Sequence, residues 1–501
     1  MSQRYLLLPR TGLTSHSGPD AERLQRLNDA FEYEAGDGTG VVQELDGVRL
    51  KVVDAQRDGP VLVEMSQAQA AALIASGVPL RVAGEVVYPH PRTLAAQARP
   101  SRREESDGLV EITVTCIDKR SGTPLAGASV IAISDSAARL GDQGRTDSAG
   151  RVVLRLPPDR AIERLIVEAD TRHWGACRDG LALADQRIEL VPLDLGEVDV
   201  VRHYYPAAAA ATRFDAKTGV TVGIVDTGVG PHEALPATEG RSTVTGETAQ
   251  RQASFTDVDL HGTHVAGLIG AQGRLPGIAP GVRLHAYRAF ADARRGATNF
   301  AIIKALMFAV ADRCDIVNLS LGGGPPDEAL SEALADVRNQ GVLVIAAVGN
   351  EKSYVAFPAQ HEDVVAVAAF GNRDRFPPEA EAAGDISTTP LSTRDPAEFF
   401  AAFSNNGKRV DVIAPGSAVL STVPRCQDMP YVENGYAPLS GTSMAAPVVA
   451  GVAACLLSQD PQLYNAPRDR ARADALRDKL FAKCSELGFS TRYEGRGQPL
   501  C

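Results

Sequence analysis

The stretch Val220-Thr-Val-Gly-Ile-Val-Asp-Thr-Gly228 decides the fold. Val220–Val225 lacks the alternation of polar and apolar positions that a half-exposed strand shows, so it reads as a strand buried on both faces. Runs of the same kind recur at Arg283–Arg288, Asp315–Leu319, Val342–Val348 and Val364–Ala368. Between them lie helix-like stretches, His261–Ala271, Thr298–Arg313 and Pro326–Gln340. Buried strands alternating with helices predict an α/β fold with a parallel sheet between helix layers. In such sheets ligands bind beyond the carboxyl ends of the strands.

The polar residues at those ends carry the chemistry. Asp226 closes the deciding strand, His261 opens the helix-like "HGTHVAG", and Asn350 ends the strand-like "AAVGN". Ser443 lies in "GTSMAAP", at the start of a run of small residues that extends to about Leu457. Taken singly, each has a structural reading: a turn-capping carboxylate, a satisfied core histidine, a helix N-cap serine. Taken together they supply what acyl transfer needs. A hydroxyl becomes a nucleophile when a neighbouring base takes its proton, and a buried carboxylate holds that base in the right tautomer. The oxyanion is met by the Ser443 backbone N–H at a helix start and by the Asn350 side chain. Gly441, Ala445 and Ala446 leave room for a substrate carbonyl beside Ser443.

With these motifs in place the sequence, over about 197–501, resembles the subtilisin family. The order Asp226, His261, Ser443 is the family's order, and Asn350 falls on its oxyanion motif. "FSNNGKRVDVIAPG" (403–416) and "YEGRG" (493–497) also match. The resemblance implies a subtilisin-like parallel sheet between helices and a serine endopeptidase working through an acyl-enzyme, with no organic cofactor. It further implies that Ser320, Leu321 and Gly322 of "NLSLGG" pair with an extended peptide. Ala347 and Gly349 of "AAVGN" and Ala356 of "AFP" would line the specificity pocket, with Glu351 either at its rim or a solvated surface residue. His264 is expected to be structural rather than a metal ligand. The family's usual calcium loop, an insertion in the helix that starts at the catalytic histidine, is missing from "HGTHVAGLIGAQGRLPGIAP", so no metal site is assigned. A stretch at about 372–399, rich in Pro, Glu and Thr, is an insertion expected to form a mobile loop.

Two segments precede this one. Residues 1–94 show strand-like runs at Val41–Val53, Pro60–Met65 and Pro79–Tyr88 around a helix from Ser66 to Ser76. Ser66 and Gln69 have the spacing of a capping box. This small α+β segment resembles the inhibitory propeptide of the family, which implies that the chain's own N-terminal domain is a partner. Its run Val86–Arg92 is expected to lie beside Ser320–Gly322 as an added strand. Residues 95–107 read as a polar linker. Residues 108–196 hold short runs at Leu109–Ile117, Ala128–Ser134, Val152–Leu156 and Leu165–Ala169, as in a β-sandwich, and resemble carboxypeptidase-regulatory-like sandwiches through "GTPLAGASV" and "GRTDSAGRVVLRLP".

Composition limits the alternatives. A formal charge of −11 over 501 residues argues against nucleic acid as partner. No stretch approaches the roughly 20 apolar residues that span a bilayer, so no membrane partner is expected. The apolar run in MSQRYLLLPRTG is too short for a signal peptide, and seven dispersed cysteines suit a reducing cytoplasm, with leaderless export as the alternative. Peptide or protein substrates fit best. A maturation protease dedicated to one partner peptide, and a catalytically silent peptide-binding scaffold, are the competing readings.

Overall fold

Strand Thr221–Asp226 is buried at every position, and the main sheet grows from it on both sides. The computed structural model describes residues 2–10, 12, 19–34, 40–90, 99–100, 108–138, 140–168, 172–195, 218–247, 253–292, 295–425 and 435–500. Thr238–Ser242, Arg283–Arg288, Thr221–Asp226, Ile316–Leu319, Leu343–Ala347 and Val364–Asn372 follow one another as parallel neighbours. Val412–Pro415 adds to Val364–Asn372 in parallel. Val225 stands opposite Leu319, and Leu319 opposite Ala346. Three central strands therefore end at one level, and Asp226, Ser320 and Val348–Asn350 emerge along one edge.

The helix Thr442–Ser458 has no charged residue, is buried along its whole length, and packs on the strands Ile316–Leu319, Leu343–Ala347 and Val364–Asn372. The helix His261–Gly270 packs against it. Asn299–Ala311 is capped by Thr298, whose hydroxyl accepts from the Ala301 N–H, and Glu328–Asn339 by Asp327. The subtilisin-like α/β architecture follows directly: a mostly parallel sheet with helices packed on it.

The stretch at 372–399 differs from expectation. It is built into the sheet, since Glu398–Ala401 pairs antiparallel with Phe370–Asn372 and Ile386–Leu391 continues outward. Phe376, Ala380, Ala382, Phe399 and Phe400 are buried in the main core, which explains why a segment rich in Pro and Glu is held in place. Its 3-10 turn Glu381–Asp385 is also the platform on which the sandwich sits. Glu381 N–H donates to Gly175 O at 2.8 Å, and Arg178 donates to Glu379 O at 2.9 Å.

That sandwich has a sheet of Ala176–Leu181, Ile162–Glu168, Ser129–Asp135, Leu140–Arg145 and Arg99–Pro100 over one of Arg151–Leu156, Val110–Asp118 and Gln186–Leu190. Val114, Val130, Leu154 and Leu165 fill the space between. Of the linker read at 95–107, Arg99–Pro100 pairs with Leu140–Gly141, and the rest lies outside the described residues. Cys426 and Cys501 lie outside them too; the five described cysteines are free. Among the described residues no helix is long and apolar enough to cross a membrane.

The N-terminal segment forms an antiparallel sheet in the order Val41–Leu45, Val48–Ala55, Val61–Ser66, Ser2–Pro9, Leu80–Gly84, with helices Pro19–Glu34 and Gln67–Ala75. The capping box at Ser66 and Gln69 is present. Val41–Val53 is not one strand but a hairpin that turns at Asp46-Gly47, both with positive φ. The short apolar run near the N-terminus is strand Ser2–Pro9, whose alternation serves two cores. Leu7 points into the segment's own core, whereas Leu6 and Leu8 join the main core with Val53 and Leu62.

Lys304 Nζ, on the helix Asn299–Ala311, lies 3.0 Å from Asp54 Oδ1 across this contact, with side chains 7% and 2% exposed. Removing one member of a buried pair strands the other charge, at a cost of about 3 kcal/mol or more. Lys304→Met is therefore expected to lower the melting temperature or loosen the N-terminal segment, read by calorimetry and limited proteolysis. The double variant Asp54→Leu/Lys304→Met should regain most of the loss. An unchanged single variant would contradict the role given to this pair.

Candidate active site

The strand that carries Asp226 delivers its carboxylate, 1% exposed, to the sheet edge. Asp226 Oδ1 accepts the Thr227 N–H at 2.7 Å and lies 2.8 Å from His261 Nδ1. The helix start that presents His261 is anchored by Asp257, a buried carboxylate. Asp257 Oδ1 accepts the Thr227 hydroxyl at 2.8 Å, and Oδ2 accepts the Thr263 N–H at 2.8 Å. The Thr227 hydroxyl in turn accepts the Gly262 N–H at 2.9 Å. Burial pushes the Asp257 carboxyl up to about 6, despite these donors. A Cβ at Gly262 would stand 2.0 Å from Gly228 O, so only glycine lets strand and helix approach this closely.

Burial alone would lower the pKa of His261. The charge and hydrogen bond of Asp226, reinforced by Asp259 and Asp257, outweigh it and raise the value above the ordinary one. His261 Nε2 is buried without a hydrogen-bond partner. His264, one turn on, is a different histidine. Its Nε2 lies 3.0 Å from both Val419 O and Ala437 O, and burial together with the His261 charge pushes it down to about 3. It ties the helix to the Val419–Thr422 hairpin.

Ser443 sits in the first turn of its helix, where backbone N–H groups have no partner within the helix. Its hydroxyl donates to Ser320 O at 3.2 Å, while the Ser320 hydroxyl donates to Ser443 O at 2.8 Å. Asn318 Nδ2 donates to Ser320 Oγ at 2.9 Å. The strand end and the helix start thus clasp each other. The Ser443 hydroxyl is bonded to Ser320 here and not to His261.

Asn350 is held by its carbonyl. Its Oδ1 accepts both the Thr442 N–H and the Thr442 hydroxyl at 2.9 Å, which leaves the Nδ2 donor turned away from Thr442, on the side of Gly441. Sequence reasoning missed a residue here. Asn405 Oδ1 accepts the N–H groups of Glu351 (3.0 Å) and Ser353 (2.8 Å), and its Nδ2 donates to Val348 O and Glu351 Oε2. It fixes the loop that carries Asn350 and holds the carboxylate of Glu351, which is exposed. Gly349 has φ +101°, and a Cβ there would come 2.4 Å from Asn405 Nδ2. The only signal in the sequence was the motif around "FSNNG", which pointed to the segment and not to the residue.

Ser320 and Leu321 are buried in the strand end, Gly322 is half-buried, and Ala347 is buried. Ala356 N–H donates to Val348 O at 2.9 Å, bringing the "AFP" turn under Gly349. The six residues expected to bind substrate thus lie on adjoining strands and turns. Among the described residues no group of three or more His, Cys, Asp or Glu side chains is arranged to hold a metal ion.

A model of the subtilase family matches residues 217–488. Subtilisin DY of Bacillus licheniformis is 34% identical over 288 residues, which is 56% of this chain and 88% of that protein. Subtilisin BL of Lederbergia lenta is 33% identical over 57% of this chain and 91% of its own. A cold-adapted subtilisin-like serine proteinase of known structure aligns with 28% identity, a TM-score of 0.44, and cover of 61% of this chain and 95% of its own. More than half of the chain matches the family, and the chain belongs to the subtilase family of serine peptidases, a family of hydrolases.

Proposed function

We propose that this chain is a serine endopeptidase made as a self-inhibited precursor, with Ser443 as nucleophile, His261 as general base, Asp226 as its orienting carboxylate and Asn350 as an oxyanion donor. The observation that carries the reading is the 2.8 Å bond between Asp226 and His261 Nδ1. It assigns the proton of the neutral ring to Nδ1 and leaves Nε2 basic. Nε2 takes the Ser443 proton as the hydroxyl oxygen attacks a peptide carbonyl, and the resulting imidazolium is stabilised by the Asp226 charge. The oxyanion is met by the Ser443 N–H and Asn350 Nδ2. The imidazolium then gives its proton to the departing amine, and water repeats the cycle on the acyl-enzyme. The Ser443 hydroxyl leaves Ser320 O for His261 when substrate is bound.

Peptide and protein substrates bind as an added strand at Ser320–Gly322, with Ala347, Gly349 and Ala356 around the first side chain. The N-terminal segment supports self-inhibition by where it sits. Val87–Tyr88 pairs antiparallel with Ala297–Thr298, and Asn299 N–H donates to Val86 O at 2.8 Å. Of the run Val86–Arg92 expected beside Ser320–Gly322, Val87–Tyr88 takes this pairing instead, because Asn299 satisfies the backbone of Gly84 and Val86 at once, and residues 91–92 lie outside the described residues. Pro91, next after His90, has no N–H to give a cleft edge, so self-cleavage falls later, in Gln97–Asp107. Buried free cysteines such as Cys314 and Cys455 suit a reducing compartment.

The first test is Ser443→Ala. It is expected to abolish peptide hydrolysis and to keep the chain full-length, while wild type yields a fragment beginning near residue 100. N-terminal sequencing reads this, and a wild type that stays intact and fully active would contradict self-inhibition.

The pH profile follows from His261. Its pKa is raised and only the neutral ring accepts a proton, so kcat/KM should fall as pH drops through a midpoint above the ordinary histidine value of about 6.5. Asp257→Asn removes a raising charge and should shift that midpoint down. A profile flat from about pH 5 to 8 would contradict the base assignment.

Asn350→Ala should lower kcat on the order of a hundredfold to a thousandfold, the range of the known subtilisin oxyanion-hole variant, with a small effect on KM. A change confined to KM would assign Asn350 to substrate binding. No calcium is assigned to the helix His261–Gly270, and a chelator should leave the melting temperature within a few degrees.

A further inference from the structure

The inserted stretch at 372–399 stands between the sandwich and the loop that leads into Ser443. On one side its turn Glu381–Asp385 receives the sandwich. Ala176 bridges to Ala380, the Glu381 N–H donates to Gly175 O at 2.8 Å, and Arg178 donates to Glu379 O at 2.9 Å. Ala380 and Ala382 anchor the same turn in the main core. At the end of the turn stands Asp385. Its carbonyl accepts the Ala402 N–H at 2.8 Å, and its Oδ2 accepts the Ser417 hydroxyl at 2.8 Å. The Ser440 hydroxyl also donates to this carboxylate, while Ser440 Oγ accepts the Ala418 N–H at 2.9 Å. Ala418 has φ +53°, a left-handed conformation that costs energy in a residue with a Cβ and needs such bonds to hold it. The Gly441 N–H donates to Gly416 O at 2.7 Å, and Gly441 stands two residues before Ser443. One carboxylate thus joins the loop at 416–418 to the backbone from which the serine helix starts.

Resting on the peptidase reading above, we propose that Asp385 is a positioning residue for Ser443, through which the docking of the sandwich sets the reactivity of the serine. Oxyanion donors work when they are held to within about 0.5 Å of their productive place. The Ser443 N–H lies just past the end of the 440–441 backbone, so whatever fixes that backbone fixes the donor. Asp385 fixes it through Ser440 and Ser417, and the sandwich fixes the turn that carries Asp385. A partner that draws the sandwich off this turn therefore slows the enzyme without entering the cleft. Burial raises the Asp385 carboxyl to about 6, against the two hydroxyls and Lys352, and Glu381 is the acidic group beside it. Protonation removes the charge to which both hydroxyls donate, so the hold weakens as pH falls through that value.

The experiment measures the second-order rate at which a small fluorophosphonate labels Ser443 in the full chain. Asp385→Asn keeps the shape of the side chain and should slow labelling about tenfold at neutral pH, the factor expected for a charged hydrogen bond. Below about pH 6 the wild-type rate should fall with one more proton than that of Asp385→Asn, whereas His261 and Asp257 titrate in both. A merely structural Asp385 would leave the two profiles parallel. Arg178→Glu replaces the donor to Glu379 O by a carboxylate that repels it. It should slow labelling about fivefold in wild type and less than about twofold in Asp385→Asn, because both changes act through one contact. Should Asp385→Asn misfold, Ser440→Ala removes one of its donors alone and is expected to slow labelling about threefold. Unchanged labelling in a folded Asp385→Asn or Ser440→Ala, parallel pH profiles, or additive losses with Arg178→Glu would overturn the inference. Should the reagent label nothing in wild type, the peptidase reading fails and takes this inference with it.

Discussion

A single hydrogen bond between groups shut off from water, Asp226 and His261, sets the terms for the rest of the catalytic region. An isolated buried carboxylate is costly, and it is retained where fixed donors compensate it. Here the donors are the Thr227 N–H and the His261 ring, and both depend on the sheet. The strand Thr221–Asp226 must end level with its neighbour Ile316–Leu319, and the helix His261–Gly270 must start within a glycine's contact of Gly228. The Asp257 network holds that start in place. Packing and electrostatics are therefore one problem, solved at the carboxyl edge of a buried parallel sheet.

A second constraint works from the opposite side. The exchange of hydrogen bonds between Ser320 and Ser443 joins the strand end to an apolar helix buried along its whole length. Nothing on that helix competes for water, so the position of Ser443 is fixed by packing rather than by surface charge. Asn350 and Asn405 extend the clasp to the next loop. The N-terminal segment and the sandwich are docked onto this frame by different means. One uses main-chain pairing and the buried Lys304–Asp54 pair; the other uses backbone bonds to the turn at 379–381.

Much of this was legible in the sequence because the parallel strands carry short unbroken apolar runs, which need burial on both faces. The positions of Asp226, His261, Asn350 and Ser443 followed from motif order and from what acyl transfer demands. Less visible were features whose cause is tertiary. The Pro- and Glu-rich stretch at 372–399 reads as a loop, yet Phe376, Phe399 and Phe400 bury it and the sandwich leans on it. Strand Ser2–Pro9 looks like a stray apolar run until its two faces are seen to serve two cores. The seat of Tyr88 beside Ala297 depends on Asn299 and Gly324, which carry no motif.

The central claim is that Ser443 is the nucleophile that His261 activates. Its most direct test is to treat the full-length protein with a fluorophosphonate at neutral pH and map the adduct by peptide mass spectrometry. The account predicts one covalent adduct, on Ser443, that disappears in His261→Ala. An adduct on another residue, or on Ser443 at an equal rate without His261, would contradict it.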